Sequence, residues 1–413
     1  MSSTPSRPAP LAGVKVLDLS RVLAGPWAGQ LLGDLGADVV KVERPGTGDD
    51  TRAWGPPYLL DGEGHSTGEA AYFLCANRNK RSVTIDLASS EGQALVRQLA
   101  AEADVLIENF KVGGLHQYGL DYESLHVLYP RLVYCSITGF GQTGPYAPRA
   151  GYDFLVQGMG GLMSITGAPT GEASAGPQKV GVALTDIMTG LYATIAIQAA
   201  LAERERSGLG QHIDTALLDV QVAVLANQAS NYLAGGLVPQ RMGNAHPNIV
   251  PYQDFPTADG DMILAIGNNA QFAKFCSIAG HAEWAVDPRF STNPQRLAYR
   301  AELIPMLKQL TVSRSTRDWI EALEPAGVPC GPINRIDEVF EDPQVRARSI
   351  RIEMTHPAAG TVPLVASPIR MSGTPVEYRR PPPLLGEHTE DVLTHWLGLA
   401  PRDVADLRRR RIV

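Results

Sequence analysis

The sequence predicts an α/β fold with a large Rossmann-like domain, built on a parallel sheet, plus a smaller α+β domain. Two observations support this prediction. Strand-like and helix-like segments alternate from Val14 to Thr138, which is the pattern of a mostly parallel sheet covered by helices. A length of 413 residues also exceeds what one hydrophobic core usually serves.

We therefore predict three regions along the chain. The large domain takes residues 11–205 and 330–413, a linker takes residues 206–224, and the small domain takes residues 225–329. The division rests on a change of pattern near Val222, after which helices and one hairpin replace the alternating units. In the hairpin segment FPTADGDMILAIG, the pair Asp259-Gly260 stands where a tight turn is expected.

The first α/β unit lies near the N-terminus. Residues 14–19 (VKVLDL) are apolar enough for a buried strand, and residues 38–43 (DVVKVE) for the next one. Between them, residues 24–37 have the composition of a helix, with Pro26 in its first turn, where proline is favoured. This order predicts two parallel strands joined by a helical crossover.

The same unit recurs further along the chain. Residues 82–87 (SVTIDL) and 104–109 (DVLIEN) predict strands, and Ser90 with Gln93 predicts a capping box for the helix between them. An amphipathic stretch over residues 115–129 then leads to another strand-like segment, RLVYCSITGF. The recurrence predicts a sheet of several parallel strands.

A region rich in Gly, Pro, Ser and Thr, from Gly139 to Gly181, comes before a long apolar helix predicted from about Asp186 to Arg206. Loops this long and Gly-rich inside a compact enzyme usually cover or line a site. The most apolar part of the helix, Ile187 to Ala202, is interrupted by Thr, Gly, Tyr and Gln. We therefore interpret it as a buried helix rather than a membrane span.

Composition excludes several kinds of partner. The 36 basic and 43 acidic residues give a formal net charge of -7, which disfavours a broad surface for nucleic acid or an anionic membrane. The first ten residues carry no apolar core of the kind that a signal peptide needs. We therefore expect small-molecule partners, with no nucleic acid and no membrane.

Cysteine and histidine spacing predicts no metal site. The four cysteines lie far apart and form no C-x-x-C pair, and the nine histidines form no H-E-x-x-H or similar ligand pair. Neither a zinc site nor a disulfide framework is supported. This usage of cysteine fits the reducing cytoplasm best.

Three short motifs suggest chemistry that their context does not support. Glu43 stands where a ribose-binding acid would lie, but the preceding turn, SRVLAGPWAGQ, lacks the G-x-G-x-x-G fingerprint. GHSTG makes Ser66 a candidate hydrolase nucleophile, but it follows the polar turn DGEG rather than a buried strand. Cys330 is a further candidate nucleophile, for which a packed, unreactive thiol is the better interpretation.

Asp186 follows the Gly-rich region and lies at the start of the long apolar helix. On its own, an acid at such a position is best interpreted as a helix cap that contributes about 1 kcal/mol. A nucleophilic role is compatible with the same position, because a carboxylate near the positive end of a helix dipole tends to remain ionised. Both interpretations stay open at this point.

A resemblance to a known family is carried by segments spread over nearly the whole chain. They are VLDLSRVLAGPWAGQLLGDLGADVVKVERPGTGD, NRNKRSVTIDL, DVLIENF, GVALTDIMTGLYA, GLGQHIDTALLD, GVPCGPI and LLGEHTEDVL. In their order and spacing, the chain resembles the class III CoA-transferases, the family of formyl-CoA transferase and the carnitine CoA-transferase. The resemblance implies that a CoA thioester is the substrate, with no tightly bound cofactor.

The resemblance also implies residue roles. Asp186 would be the catalytic nucleophile and would carry CoA as an aspartyl thioester. The residues assigned to CoA binding are Arg44, Asn109, Phe110, Tyr152, Val22 and Ile85. Each acyl transfer needs N–H donors aimed at an oxyanion, and the candidates are Gly139–Gly141 and Gly267–Phe272.

The chain departs from formyl-CoA transferase at four positions. Basic residues of that enzyme are replaced here by Ala88, Gln117 and Ala150, and a glutamine near the thioester is replaced by Leu23. These losses argue against formate or oxalate as substrate. Arg149 and Lys111 are candidates for restoring the positive charge, and a role as plain surface cations is the alternative.

The α-methylacyl-CoA racemases share the family's fold and are one alternative function, and a serine hydrolase acting through Ser66 is the other. The racemases use a histidine within a G-H-D motif as the base, whereas this chain has Gly151-Tyr152-Asp153. A tyrosine, with a reference pKa of ~10, is a poor base near neutrality. The transferase is therefore the favoured interpretation.

Three further segments, NYLAGGLVPQRMGNAHPNIVPYQDFPTADGD, GNNAQF and RPPPLLGEHT, are most similar to succinate/hydroxymethylglutarate CoA-transferase-like members of the family. This similarity implies succinyl-CoA as donor and a carboxylic or dicarboxylic acid as acceptor. The candidates for binding a distal carboxylate are Arg241, Asn244, His246 and Asn248, with a structured polar loop as the alternative. Members of the family are interlocked homodimers, so the same assembly is expected here.

Overall fold

The computed structural model describes residues 7–172 and 175–413. Within these residues the chain forms two compact units. The first comprises residues 7–162, 179–237 and 344–413, and the second comprises residues 163–172, 175–178 and 238–343. Parts of two predicted features, the first ten residues and the Gly-rich region, lie outside the described residues.

The described residues form thirteen strands, which are numbered in chain order. They are β1 (Lys15–Asp18), β2 (Asp38–Glu43), β3 (Tyr58–Leu60), β4 (Ser66–Ala70), β5 (Lys80–Thr84), β6 (Val105–Glu108), β7 (Val133–Thr138), β8 (His212–Ala216), β9 (Tyr252–Pro256), β10 (Asp261–Ala265), β11 (Cys330–Pro332), β12 (Arg351–His356) and β13 (Gly360–Val365).

The α-helices of the described residues are numbered in the same way. They are α1 (Ala24–Asp34), α2 (Ala71–Leu74), α3 (Ser90–Glu102), α4 (Tyr122–Leu128), α5 (Asp153–Met159), α6 (Leu162–Ile165), α7 (Leu184–Ser207), α8 (Leu217–Ala223), α9 (Ala226–Gly235), α10 (Asn269–Ile278), α11 (Asn293–Ala298), α12 (Arg300–Thr311), α13 (Thr316–Leu323), α14 (Ile336–Glu341), α15 (Pro343–Ala347), α16 (Thr389–Leu397) and α17 (Pro401–Arg409). Short 3-10 helices occur at Asp50–Ala53, His116–Tyr118 and Ala282–Ala285.

Six strands of the first unit form one parallel sheet, in the order β5-β2-β1-β6-β7-β8. Successive residues of a strand point to opposite faces. Leu17 accordingly joins an apolar cluster with α3, α4, α16 and α17, whereas Val16 joins one with α1 and α7. Helices therefore cover both faces, and the predicted α/β class with a large parallel sheet is confirmed.

The second unit contains a three-stranded antiparallel sheet, in the order β11-β10-β9. Strands β9 and β10 form the predicted hairpin, closed by a hydrogen bond from the N–H of Thr257 to the carbonyl of Gly260 at 2.8 Å. Phe255, Phe275 and Trp319 are fully buried in its core. Two smaller hairpins, β3–β4 and β12–β13, belong to the first unit.

The boundaries of the units differ from the predicted domain boundaries. Residues 206–224, predicted as a linker, contain β8 and α8 of the first unit, because β8 pairs with β7 at the edge of the sheet. The prediction returns the chain to the large domain at residue 330, whereas Cys330–Pro332 pairs with β10 in the second unit. The chain returns to the first unit after residue 343.

Strand β5 begins two residues before the predicted strand. Its first residues, Lys80 and Arg81, are buried charges that a sequence pattern assigns to a polar loop. They can lie in the sheet because Asp18 and Asp38 pair with their side chains. The strand is therefore extended by ion pairs with residues that are distant in the sequence.

The predicted capping box of α3 is shifted by one residue. Ser89, rather than Ser90, is the N-cap, and its hydroxyl oxygen accepts the N–H of Gly92 at 2.9 Å. The Gln93 side chain donates to the carbonyl of Leu87 at 3.0 Å instead of accepting from the cap. The helix therefore begins one residue earlier than the predicted cap implies, with a different hydrogen-bonding pattern.

Among the described residues, α7 is the one helix that is long and apolar enough to cross a membrane by length and composition. A core helix passes the same test, and α7 packs against α1 on one face of the sheet. The two helices meet at Gly190, where a Cβ would lie 2.7 Å from the carbonyl oxygen of Ala24 and 3.0 Å from the Cβ of Trp27. This close packing supports the interpretation of α7 as a core helix.

Candidate active site

A cavity of about 400 Å³ opens beside the parallel sheet of the first unit. Its walls come from the segments that follow β1, β6 and β7 and from the first turn of α7. In open α/β sheets, ligands bind outside the carboxyl ends of the strands. The cavity therefore lies where this type of fold binds its ligands.

The predicted site residues line two adjoining cavities. Those that line the first cavity are Asp186, Val22, Asn109, Phe110 and Tyr152. A second cavity, of about 190 Å³, is lined by Arg44 and Ile85. Phe110 lines both cavities, so that they share a wall. The fold thus brings together the predicted catalytic residue and all six predicted CoA-binding residues from distant parts of the chain.

The loop after β1 holds Val22 in an unusual backbone conformation. Its φ angle of 72° is an outlier for a β-branched residue. The Asn109 amide nitrogen donates to the carbonyl of Arg21 at 2.7 Å, and its oxygen accepts the N–H of Arg21 at 2.9 Å. The N–H of Val22 donates to both carboxylate oxygens of Asp49, each at 3.2 Å. Asn109 therefore shapes this loop in addition to lining the cavity.

Tyr152 is placed by a close contact between two glycine backbones. A Cβ on Gly139 would lie 2.5 Å from the Cα of Gly151, and a Cβ on Gly151 would lie 2.3 Å from the Cα of Gly139. Only glycine permits this approach, which brings the segment before α5 against the end of β7. Tyr152 follows directly as the N-cap residue of α5, with 64% of its surface exposed.

Four of the candidate oxyanion donors, the N–H groups of Gly141, Gly267, Gln271 and Phe272, already have hydrogen-bond partners. The N–H of Gly141 donates to Oγ1 of Thr138 at 2.9 Å, and the N–H of Gly267 donates to Oε1 of Gln271 at 2.8 Å. All four groups are therefore engaged within their own segments and are not free to bind an oxyanion. Gly139 lines the first cavity and remains a candidate donor.

The start of α7 is capped from outside the helix. Asp186 is the third residue of α7, and the Oδ1 atom of Asp153 accepts the N–H groups of Thr185 at 2.8 Å and of Asp186 at 3.2 Å. Ala183 holds the N-cap position and offers no side-chain cap. The interpretation of Asp186 as a helix cap is therefore wrong, because Asp153 satisfies the N–H groups that a cap would satisfy.

Burial raises the pKa of Asp186 to about 7, and the negative charge of Asp153 adds to this effect. The expectation that the helix dipole keeps Asp186 ionised is therefore not met. A dipole contributes about 0.3–1 kcal/mol, and one pKa unit corresponds to ~1.4 kcal/mol, so burial outweighs it. The Asp153 carboxylate also compensates the positive end of α7. With its pKa raised to about 7, Asp186 populates both its protonated and its ionised form near neutral pH.

Three cations line the first cavity beside these residues. They are Arg21, Lys111 and Arg149. Arg21 pairs with Asp50 at 3.0 Å, and the Arg149 guanidinium lies 4.6 Å from the ring centroid of Tyr146. Within the part of the chain that the structure describes, Arg149 and Lys111 form no ion pair.

The four positions at which the chain differs from formyl-CoA transferase lie in the same two cavities. Leu23, Gln117 and Ala150 line the first cavity, and Ala88 lines the second.

Three titratable residues near the site, Tyr72, Glu108 and Asp153, were not predicted from the sequence. Burial, together with the carboxylates of Asp186 and Asp153, raises the pKa of Tyr72 to about 12. Burial raises the pKa of Glu108 to about 7, although its carboxylate accepts the N–H of Phe110 at 2.8 Å. Only Asp153 had a sequence signal, because it directly follows a predicted site residue.

The surroundings of Ser66, Cys330 and Glu43 argue against the chemical roles that their sequence motifs suggest. Ser66 begins β4 in an antiparallel hairpin and is exposed, so that it does not lie at the strand-to-helix turn of a nucleophile elbow. Burial raises the pKa of the Cys330 thiol, which disfavours the thiolate. Glu43 accepts two hydrogen bonds of 2.8 Å from Arg52 and is therefore a structural acid. Within residues 7–172 and 175–413, no group of three or more His, Cys, Asp or Glu side chains could hold a metal ion.

The residues proposed for a distal carboxylate lie in the second unit. They are Arg241, Asn244, His246 and Asn248. The Arg300 guanidinium donates to the carbonyl of His246 at 2.6 Å, and the Asn293 amide donates to the carbonyl of Asn248 at 2.9 Å. These hydrogen bonds favour the alternative interpretation, a structured polar loop.

Known proteins of one family match nearly the whole chain. A model of CoA-transferase family III matches residues 11–389. The chain is 56% identical over 393 residues to the succinate–glutarate CoA-transferase of Agrobacterium fabrum, covering 95% of this chain and 97% of that one. It is 44% identical over 404 residues to the succinyl-CoA:glutarate CoA-transferase of Homo sapiens, covering 98% and 90%.

A solved structure agrees with the fold as well. The crystal structure of a CaiB/BaiF family protein from Brucella suis matches with a TM-score of 0.82 and 54% identity, covering 94% of this chain and 100% of that one. The resemblance to the class III CoA-transferases is therefore confirmed.

We predict that Asp186→Asn stabilises the protein more at about pH 8 than at about pH 4. The pKa of Asp186 is raised on folding, so the folded state binds more protons between the usual value of 3.8 and about 7. Stability is therefore lost as the pH rises through this window. The gain from Asn should reach a few kcal/mol at most above pH ~7, measured as the shift of the thermal midpoint.

The matched control is Asp403→Asn, an exposed acid in the first turn of α17. For Asp403→Asn, the difference between the thermal midpoints at about pH 8 and about pH 4 should be the same as for the wild type. A thermal midpoint of Asp186→Asn that follows the wild type at both pH values would contradict the raised pKa.

Proposed function

This chain belongs to CoA-transferase family III, and we propose that it moves CoA from succinyl-CoA to a carboxylic or dicarboxylic acid such as glutarate. The observation that carries this proposal is the place of Asp186, a buried carboxylate in the wall of the first cavity. The substrates are supported by the two curated relatives, which are named for succinate or succinyl-CoA and for glutarate.

In the proposed reaction, the Asp186 carboxylate attacks the carbonyl carbon of the donor thioester. The C–S bond breaks, CoA leaves as a thiolate, and a mixed anhydride between Asp186 and the acyl group remains. The thiolate then attacks the aspartyl carbonyl, the anhydride C–O bond breaks, and the donor acid leaves as a carboxylate. The acceptor acid reacts with the resulting aspartyl-CoA thioester by the reverse sequence.

The environment of Asp186 suits this chemistry. A nucleophile whose pKa is about 7 combines a useful ionised fraction at neutral pH with more basicity than an ordinary carboxylate. Burying an unpaired carboxylate is costly, and conversion into an anhydride or a thioester removes that charge. The site therefore favours the acyl intermediates over the free carboxylate.

We propose that CoA spans the two adjoining cavities. The nucleotide would lie beside Arg44 and Ile85 in the second cavity, and the thioester beside Asp186 in the first. A guanidinium offers both a fork for phosphate and a plane for stacking, which suits Arg44 to this place. Phe110, in the shared wall, would contact the pantetheine arm between them.

Arg149 and Lys111 are proposed to bind an anionic group of CoA or of the acid. Both line the first cavity, and neither forms an ion pair among the described residues. A charged group that enters the cavity would therefore find cations that are not already neutralised. Charge-assisted hydrogen bonds of this kind are roughly twice as strong as neutral ones.

The main test is the covalent adduct. After addition of succinyl-CoA, intact-protein mass spectrometry should show a CoA adduct, and hydroxylamine with peptide mapping should locate it at Asp186. Asp186→Ala should lose the adduct and lower CoA transfer to glutarate by about 10³-fold or more, because a missing nucleophile removes the covalent route.

The matched control for this test is Asp219→Ala, which changes an exposed acid on α8 and should keep the adduct. Free CoA that appears without any acceptor acid would indicate a hydrolase. A CoA adduct on a residue other than Asp186 would contradict the proposed mechanism.

We expect Arg149→Ala to raise the KM for succinyl-CoA or for glutarate by about 10-fold or more, since a charged hydrogen bond contributes about 1.5–3 kcal/mol. Steady-state kinetics with each substrate varied in turn shows which anion Arg149 binds. Arg402→Ala, a highly exposed arginine of α17, serves as the control. Unchanged KM values for both substrates would make Arg149 a surface cation.

We also propose an interlocked homodimer in the cytoplasm. The first unit exposes large apolar side chains on α5, α7 and α9, among them Phe154, Ile195 and Leu233. Such a surface often marks a protein interface. Sedimentation velocity at micromolar concentration should give a dimer, and a monomer would contradict the assembly.

The four free cysteines suit a reducing compartment, which supports the proposed location in the cytoplasm.

A further inference from the structure

Three side chains hold the N-terminus of α7, and we call Asp153, Gln157 and Gln221 the α7 clamp. Asp153 accepts the N–H groups of Thr185 and Asp186 at 2.8 and 3.2 Å. Gln157 donates to the other carboxylate oxygen of Asp153 at 2.6 Å, and Gln221 accepts the hydroxyl of Thr185 at 2.6 Å. Both glutamines are fully buried, so the hydrogen bonds are shielded from water.

The α7 clamp joins two walls of the first cavity. Asp153 directly follows Tyr152, so that it ties the wall at the start of α5 to the wall at the start of α7. Gln157 lies one turn further along α5, and its side-chain oxygen accepts the N–H of Val180 at 2.9 Å, in the segment that leads into α7. The backbone of Asp186 is therefore fixed relative to Tyr152.

Asp153 also places a second negative charge beside Asp186. Burial is the larger cause of the raised pKa of Asp186, and the charge of Asp153 is the other. The remaining charged or titratable side chains that are near Asp186 or line its cavity are Tyr72, Arg21, Asp50, Lys111, Tyr118, Arg149 and Tyr152. Among the described residues, only Asp153 shifts the titration of Asp186 through its charge.

We propose that Asp153 is a positioning residue that fixes the backbone of Asp186 and favours the neutral, acylated form of Asp186 over its free carboxylate. This inference rests on the proposed function, in which Asp186 carries acyl groups and CoA. Two neighbouring carboxylates repel each other, and formation of the anhydride or the thioester removes one of the two charges. Asp153 itself forms no bond to the acyl group or to CoA in the proposed reaction.

The test uses Asp153→Asn, which removes the charge and keeps a side-chain oxygen for the N–H groups of α7. The rate of CoA-adduct formation from succinyl-CoA is measured by quenched intact mass spectrometry from about pH 5 to about pH 9. Each rate is normalised to the plateau of the same variant at high pH, which separates ionisation from any general loss of activity.

The wild type should reach about one tenth of its plateau near pH 6, as expected for a pKa of about 7. Asp153→Asn should reach about one half, because loss of a neighbouring like charge lowers the midpoint by roughly one pH unit. The ratio of CoA-bound to free enzyme at equilibrium should fall about tenfold for the same reason.

Two further variants separate charge from structure. Thr185→Val removes the hydrogen bond to Gln221 and leaves the charge of Asp153, so it should lower the plateau without moving the midpoint. Asp153→Ser is a second uncharged variant with a small polar side chain, in case Asp153→Asn does not fold. It should move the midpoint in the same direction as Asp153→Asn.

An unchanged midpoint and an unchanged adduct ratio in both Asp153 variants would overturn this proposal. Failure of the proposed function has a different result, because the wild type then forms no adduct at Asp186. In that case, carbon-13 NMR titration of the Asp186 carboxyl group in the wild type and Asp153→Asn still measures the charge effect. An Asp186 midpoint that is the same in both proteins would overturn the role of Asp153.

Discussion

Two buried ion pairs beneath the loop after β1 hold the site in place. Asp18 pairs with Lys80 at 3.0 Å and Lys41 pairs with Asp49 at 2.9 Å, with all four side chains buried. Lys41 also donates to a backbone carbonyl of the loop at 2.7 Å, and Asp49 accepts the N–H of Val22. Removing one member of such a pair leaves an uncompensated buried charge, at a cost of about 3–5 kcal/mol. The charges of β1, β2 and β5 thus fix the strained loop in the cavity wall.

The Asp18–Lys80 ion pair also affects the position of Asp186, through its contact with α1. A Cβ on Gly29 would lie 2.8 Å from a carboxylate oxygen of Asp18, so α1 can lie directly on the charged groups only because it has no side chain there. On α7, Gly190 likewise permits close contact with the carbonyl oxygen of Ala24. The position of α1 above the charges therefore also sets the position of α7. Close packing at glycines links the loop after β1 with the helix that bears Asp186, the proposed nucleophile.

The sequence predicts those features that depend on local patterns. The parallel sheet is predictable because its strands are apolar runs, and Asp186 is predictable because the long helix and the resemblance both single it out. Lys80 and Arg81 resemble loop residues, since the acids that pair with them are distant in the sequence. The cap of α7 is missed for a similar reason, because Asp153 belongs to another helix. The ionisation of Asp186 depends on burial, which a sequence pattern does not contain.

The choice of an acid at position 153 has a physical consequence for Asp186. Asparagine at this position keeps a side-chain oxygen that can accept hydrogen bonds from the start of α7. It would not place a negative charge beside Asp186, and the buried carboxylate would then be easier to keep ionised. Asp153 therefore makes the free carboxylate less stable while holding its backbone still. In the proposed reaction, formation of an acyl intermediate at Asp186 removes one of the two charges and so relieves this repulsion.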